Sequence, residues 1–481
     1  MKILLTTLLL SATTALAASS RPNILFILSD DQSAATVGCY GNPDVKTPNV
    51  DRLAREGMRF ERAYVTSPQC VPSRASLMTG RSPVALDMTR FSAPLPAEFK
   101  TYPEHLRAAG YFTGVAGRTY HLDGAPGTPG ARIYEERKLA TFPDRLDFVK
   151  TASDRAGMIA QFEEFLDAVP DGKPFCLQLG FSDPHRPFTP EDVPSPPDPE
   201  KLTLPPFFPD TEAARKDLAA YYGEVQRLDS DIGRVLDILE KRGLAKDTLV
   251  VFMGDNGAAL FRGKGTLYEL GIRVPLIIRW PGVVAAGSTS DDLISGEDLA
   301  PTLIEAAGLR APGDMTGKSF LPRLRGGKFE GRTHAFAERG PHASSLPNNT
   351  ASFDLSRAVV GPRYKLIYNA MWQLPYFPVD FGNSDMWREI EALHREDKLS
   401  PLLSRLYFPP ARPMFELYDL VNDPYELENL AGQPDTKEIE KELKQALHEW
   451  MIIERDYLPL PIPANNKGKK KAAASDSEAG K

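Results

Sequence analysis

Short apolar runs that end in polar or glycine-rich segments are the feature that most limits how this chain can fold. Residues 24–28 (ILFIL) precede Ser-Asp-Asp, residues 111–115 (YFTGV) precede AGRTYH, residues 175–179 (FCLQL) precede GFSDPHRPF, and residues 249–253 (LVVFM) precede GDNG. Continuous apolar runs of this length are typical of strands that are buried on both faces. Helical segments alternate with these runs, so the sequence predicts an α/β fold with a mixed, mostly parallel sheet sandwiched by helices.

Two of the helices are predicted from their ends and their periodicity. TPNVDRLAREG has Thr47 as a cap, Pro48 at the first helical position and Gly57 as the stop. In the segment that ends at Gly243, apolar side chains recur on one helical face. They are Leu218, Tyr221, Val225, Leu228, Ile232, Val235 and Leu239.

Polar side chains that follow two of the apolar runs are candidate metal ligands. Asp30 and Asp31 come after the first run, and Asp255 and Asn256 come after the fourth. Ligands bind outside the carboxyl ends of parallel strands, where these residues are expected to converge. Carboxylate and amide oxygens suit Ca²⁺ or Mg²⁺ far better than Zn²⁺. For each pair alone, turn formation and helix capping are the alternative interpretation.

The segment CVPSRASLMTG raises the question of what Cys70 does. Pro72 fits the first turn of a helix, so Cys70 is expected just before the helix, facing free N–H groups that attract anions. Arg74 could add a charge-assisted contact. A buried filler, a disulfide partner, a thiolate nucleophile and a metal ligand are the alternatives, but a hard dication beside sulfur is chemically unfavourable. We therefore expect Cys70 to be converted to another group.

The first residues predict export. Lys2, an apolar run from Ile3 to Leu10, and the small residues Ala15 and Ala17 are typical of a signal peptide over residues 1–17. A membrane anchor needs about 20 apolar residues, and polar residues interrupt this run too early. No later segment is apolar over such a length. The sequence thus predicts a periplasmic or secreted protein with no membrane span.

Charge and cysteine content exclude two further classes. The formal net charge is -7, which argues against a general nucleic-acid binder because such proteins are usually basic. An anionic substrate remains open, since a site can be locally positive. The three cysteines of the 481-residue chain are too few for a disulfide framework. Cys39 and Cys176 are predicted to be buried fillers, and their pairing stays open.

The composition changes after about residue 350. SRAVVGPRYKLIYN predicts two strands joined by a Gly-Pro turn, and a helical segment follows FELYDLVNDPYELENLA. The predicted domains are a main domain over residues 18–350 and an α+β domain over residues 351–463. Residues 464–481 are a lysine-containing tail that is predicted to be disordered. Its lysines either aid solubility or tether the chain weakly to a polyanion.

CVPSRASLMTG resembles the signature of the sulfatase family, Cys-x-Pro-Ser-Arg followed by a short segment that ends in Thr-Gly. PNILFILSDDQ, TPNVDRLAREGMRF, GDNG, KGTLYELGIRVPLIIRWPG and LYDLVNDPYELENLA are also similar to sulfatase segments, in family order. The resemblance implies an alkaline-phosphatase-like fold and a formylglycine-dependent sulfatase. It further implies that a maturation enzyme oxidises Cys70 to formylglycine (3-oxoalanine), and that Asp30, Asp31, Asp255 and Asn256 bind Ca²⁺ with residue 70.

The resemblance also implies roles for individual residues. In such sulfatases, one hydroxyl of the hydrated aldehyde attacks sulfur and the other lets the adduct collapse and expel sulfate. Arg74 would hold the formylglycine, His121 would contact its hydrate, His185 would protonate the leaving group, and Lys264 would contact the sulfate. Two residues separate Arg118 from His121, whereas one residue separates Lys from His in the common Gly-Lys-x-His pattern, and Arg stands here in place of Lys. Its catalytic role is implied less directly, because Arg is a planar fork and Lys a point charge.

Within the family, FFPDTEAARKDLAAYYGEVQRLD, DPHR and YKLIYNAMWQLPYFPVDFG most resemble segments of the heparan N-sulfatases, which cleave the N-sulfate of terminal glucosamine. The segment after GDNG instead resembles general arylsulfatases, so an O-sulfatase on another glycan, arylsulfatase-like or iduronate-2-sulfatase-like, is the alternative. The residues expected to contact the sugar are Asp183, Arg186, His342 and Asp380.

A phosphatase or phosphonate hydrolase of the same superfamily is a further alternative, disfavoured because the 7 histidines do not cluster. A binding protein on a degenerate scaffold is disfavoured by the intact set of catalytic residues. A homodimer is one of the oligomeric states that the sequence leaves open.

Overall fold

An eight-stranded sheet forms the centre of the computed structural model, which describes residues 21–90, 94–118, 121–123, 136–137, 145–152, 154–189, 193, 195–342 and 353–461. Its strands are β1 (Asn23–Ser29), β2 (Met58–Tyr64), β3 (Phe112–Gly117), β4 (Phe148–Val149), β5 (Phe175–Gly180), β6 (Thr248–Gly254), β7 (Leu276–Arg279) and β8 (Ser288–Ser295). Their order is β4-β3-β5-β1-β6-β7-β2-β8. Only β7 among them runs antiparallel to its neighbours, β6 and β2. The predicted mixed, mostly parallel sheet is confirmed.

The centre of the sheet brings together three of the strands that the apolar runs predict. β1 lies between β5 and β6, and Leu28 aligns with Gly180 on one side and with Met253 on the other. The side chains of residues 24–28 are fully buried, because helices cover both faces of the sheet. All three strands run in the same direction, so the polar residues that follow them meet at one edge.

Helices pack on both faces of the large sheet. The α-helices of the described residues, on this sheet and elsewhere, are α1 (Pro48–Glu56), α2 (Cys70–Thr79), α3 (Tyr102–Ala108), α4 (Arg155–Ala168), α5 (Glu212–Lys241), α6 (Glu269–Ile272), α7 (Leu299–Ala306), α8 (Leu321–Leu324), α9 (Asp385–Arg395), α10 (Pro401–Tyr407) and α11 (Lys437–Ile453). Phe26 and Leu28 of β1 share a core with α2, α3 and α7. Leu25 and Ile27 share a second core with α1, α4 and α5. Alternate side chains of one strand thus fill two cores, as the pleat requires.

The two helices predicted from sequence are present. α1 follows Thr47 and ends before Gly57, as its end signals indicate. α5 begins at Glu212, where the Thr211 hydroxyl accepts a hydrogen bond from the Ala214 N–H, 3.3 Å. The predicted apolar face of α5 is buried along its whole length. Gly243 follows this helix with a φ of 70°, the left-handed conformation that favours glycine after a helix.

Helix α2 begins at Cys70 itself, one position earlier than the sequence predicts. Gln69 is extended, with φ -142° and ψ 138°, and is the residue before the first helical turn. Pro72 is the third residue of that turn, where its missing N–H still costs no helical hydrogen bond. All ten residues of α2 are buried, so the helix carries Cys70 into the interior at the edge of the sheet.

A smaller antiparallel sheet follows the large one. It contains β9 (Ala335–Arg339), β10 (Ser356–Val360), β11 (Tyr364–Asn369) and β12 (Phe415–Asp419) in the order β12-β11-β10-β9. α11 packs on it, with Leu443, Leu447 and Trp450 buried against β10, β11 and β12. β9 belongs to the small sheet because it pairs with β10, although it lies before the predicted boundary at residue 350. The domain limits themselves stay a prediction.

Several expectations concern residues at the ends of the chain or single cysteines. The proposed signal peptide over residues 1–17 and the tail over residues 464–481 lie outside the described residues. In the described part of the chain, no helix combines the length and apolar character needed to cross a bilayer.

Cys39 and Cys176 are both free thiols. Cys176 is buried as expected, whereas Cys39 is only partly buried.

Candidate active site

Three buried carboxylates surround the sulfur of Cys70 at the edge of the large sheet. Asp30 and Asp31 follow β1, Asp255 follows β6, and none of the three is exposed to solvent. The Cys70 thiol donates to Asp30 Oδ1, 3.5 Å away, and lies 3.9 Å from Asp31 Oδ1. The predicted convergence of the strand ends is therefore present in the structure.

Three cations balance these carboxylates. The Arg74 guanidinium is buried between Asp255 Oδ2 (2.9 Å from Nε) and Asp30 Oδ2 (3.1 Å from Nη2). Arg118 Nε lies 2.5 Å from the same Asp30 oxygen. Lys264 Nζ lies 2.8 and 3.0 Å from the two oxygens of Asp31. Such pairing is what permits six charges to be buried together.

The pKa values in this cluster shift in opposite directions. Burial would raise the pKa of Asp30, but the cations of Arg118 and Arg74 outweigh it and lower the pKa far below its usual range. Asp255 has less compensation, and burial raises its pKa to about 6. Burial would lower the pKa of Lys264, but Asp31 raises it well above the usual value. Lys264 is thus a fixed cation.

The thiol of Cys70 is a poor nucleophile in this environment. Burial raises its pKa well above the usual value, and the carboxylates of Asp30 and Asp255 raise it further against the opposing charge of Lys264. The thiolate is the reactive form of cysteine, so the thiol is the dominant species at neutral pH. This arrangement does not favour a thiolate enzyme, which was one of the alternatives for Cys70.

Both candidate catalytic histidines lie beside the cluster. Burial and the charge of Arg74 lower the pKa of His121 well below its usual value, against the opposing carboxylate of Asp30. His185 bonds through Nδ1 to the Arg186 carbonyl, which requires Nδ1 to be the donor. His185 Nε2 therefore faces the cluster, 3.8 Å from Asp31 Oδ2.

Asp380 connects the cluster to the edge of the site. One of its oxygens lies 2.7 Å from Lys264 Nζ and 3.9 Å from His185 Nε2, and the other lies 3.5 Å from His342 Nε2. Burial would raise the pKa of Asp380, but Lys264 and His342 lower it far below its usual range. Asp380 and His342, both expected at the substrate, thus reach the site from the C-terminal part of the chain.

Arg186 and Asp183 differ in their positions. Arg186 donates through Nη1 to Asp217 Oδ1 (2.8 Å), bonds through Nη2 to the other Asp217 oxygen, and lies 4.1 Å from the centre of the Phe188 ring. It borders the pocket. Asp183 does not line this pocket, because both of its oxygens are bound by Arg227 of α5 at 2.7 and 2.9 Å and the pair is buried. The substrate contacts of both residues stay predictions.

An open pocket of about 930 Å³ extends outward from His185 and Asp380. Arg186 and α5 form one wall, and the start of α9 forms the other. Five carboxylates line the pocket against two permanent cations, Arg186 and Lys216. The carboxylates are Glu212, Asp217, Asp380, Asp385 and Glu389. The pocket is large enough for a sugar ring. Four of the five carboxylates are paired with Arg186, Lys216, Lys264 or Arg388, and Glu389 has no ion pair among the described residues.

The oxygen donors around Cys70 fit a hard cation, whereas the sulfur of Cys70 itself does not. Single ligand atoms of Asp30, Cys70 and Asp255 lie within 4.8 Å of one another. Asn256 donates through Nδ2 to Asp31 Oδ1, 2.8 Å, whereas its buried Oδ1 has no hydrogen-bond donor among the described residues. A buried amide oxygen without a donor costs free energy, and a cation would satisfy it. Carboxylate and amide oxygens are the ligands of Ca²⁺ and Mg²⁺.

Several residues of the site were not predicted from the sequence. The Ser73 hydroxyl donates to the Asp255 carbonyl and so links α2 to the end of β6. Asp217 binds Arg186, and Arg227 binds Asp183. Ser73 lies within the segment that drew attention to Cys70, so that segment could have indicated it. The two α5 residues give no local signal, because their partners lie about 30 to 45 positions away.

Fold and site together describe an α/β enzyme with a buried, charge-balanced centre. Residues 22–309 match the family described as Sulfatase, and residues 257–375 match the family described as N-sulphoglucosamine sulphohydrolase, C-terminal. The first match spans more than half of the chain, so the protein belongs to the sulfatase family. It is a hydrolase of sulfate esters or sulfamates.

Three similar proteins indicate the breadth of the family. An ulvan-active sulfatase of Formosa agariphila is 30% identical over 94% of this chain and 86% of its own length. Human N-sulphoglucosamine sulphohydrolase is 29% identical over 90% of each chain. A protein solved in complex with its substrate, D-glucosamine-2-N,6-O-disulfate, superposes with a TM-score of 0.69 and 22% identity over 91% of this chain and 99% of its own. That last similarity shows the shared fold.

Proposed function

We propose that this protein is an exported sulfatase that removes the N-sulfate from terminal glucosamine in heparan-type saccharides. The match of residues 257–375 to the C-terminal family of N-sulphoglucosamine sulphohydrolases carries the N-sulfate assignment. The human relative of that name supports it. An O-sulfatase acting on another glycan is the second candidate, because the ulvan-active relative has about the same sequence identity to this chain as the human enzyme has.

The chemistry that we propose depends on residue 70. The observation that supports it is a buried thiol with a raised pKa at the start of α2, among oxygen ligands. Conversion of Cys70 to formylglycine by a maturation enzyme would supply, as the hydrate, an oxygen nucleophile in place of this unreactive thiol. In the overall reaction, a sulfamate and water give an amine and sulfate.

Asp30, Asp31, Asp255 and Asn256 would hold Ca²⁺ with residue 70. When bound, Ca²⁺ would offset negative charge on the sulfuryl oxygens. The Arg74 guanidinium, fixed by Asp30 and Asp255, would orient residue 70. One calcium per chain by elemental analysis is the expected content, whereas two zinc ions would favour the phosphatase alternative.

The remaining residues would bind the sulfate and move protons. Lys264 is held by Asp31 and Asp380, so its ammonium would meet a sulfate oxygen without rearrangement. Nδ1 of His185 is occupied by the Arg186 carbonyl, which leaves Nε2 to deliver a proton to the leaving nitrogen. His121 would remove a proton from residue 70 as sulfate departs, because a low pKa keeps its imidazole neutral.

The experiment that tests the substrate assignment is a panel of saccharides that each carry one sulfate: glucosamine with an N-, 3-O- or 6-O-sulfate, and a disaccharide of uronic acid and glucosamine with a 2-O-sulfate on the uronic acid. Sulfate release is measured as kcat/KM with enzyme produced alongside a formylglycine-generating enzyme. We expect the N-sulfate to be preferred. Cleavage of one O-sulfate without N-sulfate cleavage would reject the N-sulfate assignment and favour the second candidate. The wild-type enzyme is compared with a Cys70→Ala variant, which should release no sulfate.

A further inference from the structure

A second polar cavity lies between the large sheet domain and the small antiparallel sheet. Its volume is about 280 Å³. The segment 265–268, the strands β10 to β12 and residues after α10 line it, and none of the residues proposed for catalysis or metal binding does. Exposed Arg405 and Glu428 stand at its rim, whereas Arg262, Arg339 and Asp354 in its lining are buried. The cavity is therefore distinct from the pocket beside His185.

Arginines outnumber carboxylates in the interior of this cavity. The single carboxylate of Asp354 is shared by Arg412, at 2.7 and 2.8 Å, and by Nη1 of Arg339. Arg262 makes no ion pair among the described residues and instead stacks on Tyr268, 3.5 Å from the ring centre. Glu416 already accepts bonds from Tyr268, Tyr418 and Asn369. Two buried arginines and the partly buried Arg412 thus face two carboxylates whose acceptor oxygens are largely used.

Arg339 has one complete binding edge without a partner. Its Nε and Nη2 are buried and donate to no acceptor among the described residues, although Arg339 is only 5% exposed. These two N–H groups form the parallel fork that binds a carboxylate or a sulfate with two hydrogen bonds. A buried charged donor without an acceptor is unfavourable, so an acceptor is expected at this edge.

We propose that this cavity is a binding site for a small oxyanion, of the sulfate, phosphate or carboxylate class. The anion would accept two hydrogen bonds from the free edge of Arg339 and would offset the excess positive charge of the three arginines. It would connect β9 of the small sheet with residues that follow the catalytic Lys264 along the chain. Its role would be to stabilise the packing of the two sheets, and it requires no turnover at residue 70.

Selenate is a suitable probe because it has the shape and charge of sulfate and can be located by its anomalous scattering. In crystals of the full chain soaked with selenate, we expect an anomalous peak in the cavity at hydrogen-bond distance from Arg339 Nε and Nη2. Arg339→Met, which keeps the length of the side chain and removes its donors, should lose this peak. The control, Arg155→Met, alters an arginine whose same edge is occupied by Asp231, and it should keep the peak.

A solution measurement separates a specific site from an adventitious ion. The melting temperature is titrated with sodium sulfate against sodium chloride at equal ionic strength. The affinity for sulfate that stabilises the fold should be about tenfold lower in Arg339→Met than in wild type and in Arg155→Met. A wild-type cavity that contains water and no selenate would overturn the proposal. A selenate peak combined with identical sulfate responses in all three proteins would also overturn it. If Arg339→Met does not fold, the wild-type selenate map still decides the matter.

Discussion

At the scale of single residues, the centre of the site depends on close pairing of buried charge. Asp30 illustrates this, because one of its oxygens meets both Arg74 and Arg118 while the other accepts the thiol of Cys70. Removing one partner of such a group leaves a buried charge uncompensated, which is strongly destabilising. Substitutions in this cluster therefore affect folding as well as chemistry, and peripheral residues are better probes of mechanism.

His185 is such a peripheral residue, and it gives the first prediction. Replacement by Ala should lower kcat/KM for an N-sulfated sugar by about 10²–10⁴-fold, because amine expulsion needs a proton. Hydrolysis of an activated aryl sulfate should fall much less, since phenolate leaves without protonation. Both rates are measured on the same preparations, with His448→Ala on α11 as the control. Equal losses on the two substrates would contradict a role for His185 as the proton donor.

Glu338 gives a prediction about stability. It is fully buried on β9, and burial raises its pKa to about 8 despite the nearby Arg357. The pKa of Glu338 is about 8 in the folded protein and near 4.5 in the unfolded chain, so the folded protein binds the proton more tightly. The stability that this proton contributes is therefore lost as the pH rises from about 4.5 to about 8. Relative to wild type, Glu338→Gln should gain about 1–2 kcal/mol of unfolding free energy between about pH 6 and pH 8.

Urea unfolding at both pH values measures this difference. Glu330→Gln, at an exposed position, serves as the control and should follow wild type. A constant difference between Glu338→Gln and wild type at the two pH values would show that Glu338 does not bind a proton in the folded state.

The limits of sequence-based prediction are clear at this scale. The metal-ligand candidates were predictable because they follow strands whose parallel arrangement places their ends together. The partner of Asp183 was not, because Arg227 reaches it only through the packing of α5. Asp183 follows a buried strand just as Asp30 does, and nothing local distinguishes a carboxylate that faces the pocket from one bound by a neighbouring helix.

At the scale of elements, the close approach of two segments fixes Asn256. The neighbouring Gly257 lies so near to the Leu270 carbonyl that an added Cβ would stand 1.9 Å from its oxygen. Gly257→Ala should therefore displace the end of β6 and lower kcat/KM about a hundredfold, with a loss of about 1–3 kcal/mol in stability. Kinetics and urea unfolding on the same variant measure both effects.

Gly243→Ala is the matched control for this variant. Gly243 follows α5 with a positive φ, and nothing lies within 4 Å of its added Cβ. The Gly243→Ala variant should lose about 1 kcal/mol of unfolding free energy and keep its activity unchanged. If the two variants lost activity equally, the loss would reflect general destabilisation and not the position of Asn256.

The elements also show where sequence patterns suffice. Apolar runs and end signals predicted the central strands, α1 and the apolar face of α5, because these depend on local periodicity. The place of β9 depends on its pairing with β10, across a segment that carries no pairing signal. The start of α2 at Cys70 likewise depends on the extended conformation of Gln69, which sequence does not specify.

At the scale of the whole molecule, the charge of the pocket predicts a substrate preference. Glu389, the one pocket carboxylate without an ion pair among the described residues, should repel an additional sulfate on the sugar. We expect kcat/KM for glucosamine-2-N,6-O-disulfate to be about three- to tenfold below that for glucosamine N-sulfate, with the gap narrowing as salt is added. Glu389→Gln, which removes one negative charge from the pocket, should also reduce the difference in kcat/KM between the two substrates. A preference for the disulfate would contradict this account of the pocket.

The central claim is that residue 70, once oxidised, supplies the nucleophile of this sulfatase. The most direct measurement is the fraction of aldehyde in the tryptic peptide that contains residue 70, determined by mass spectrometry across preparations matured to different extents. Sulfate release per molecule should rise in proportion to that fraction and extrapolate to zero for protein with the unmodified thiol. Full activity in preparations that contain only the thiol would contradict the claim.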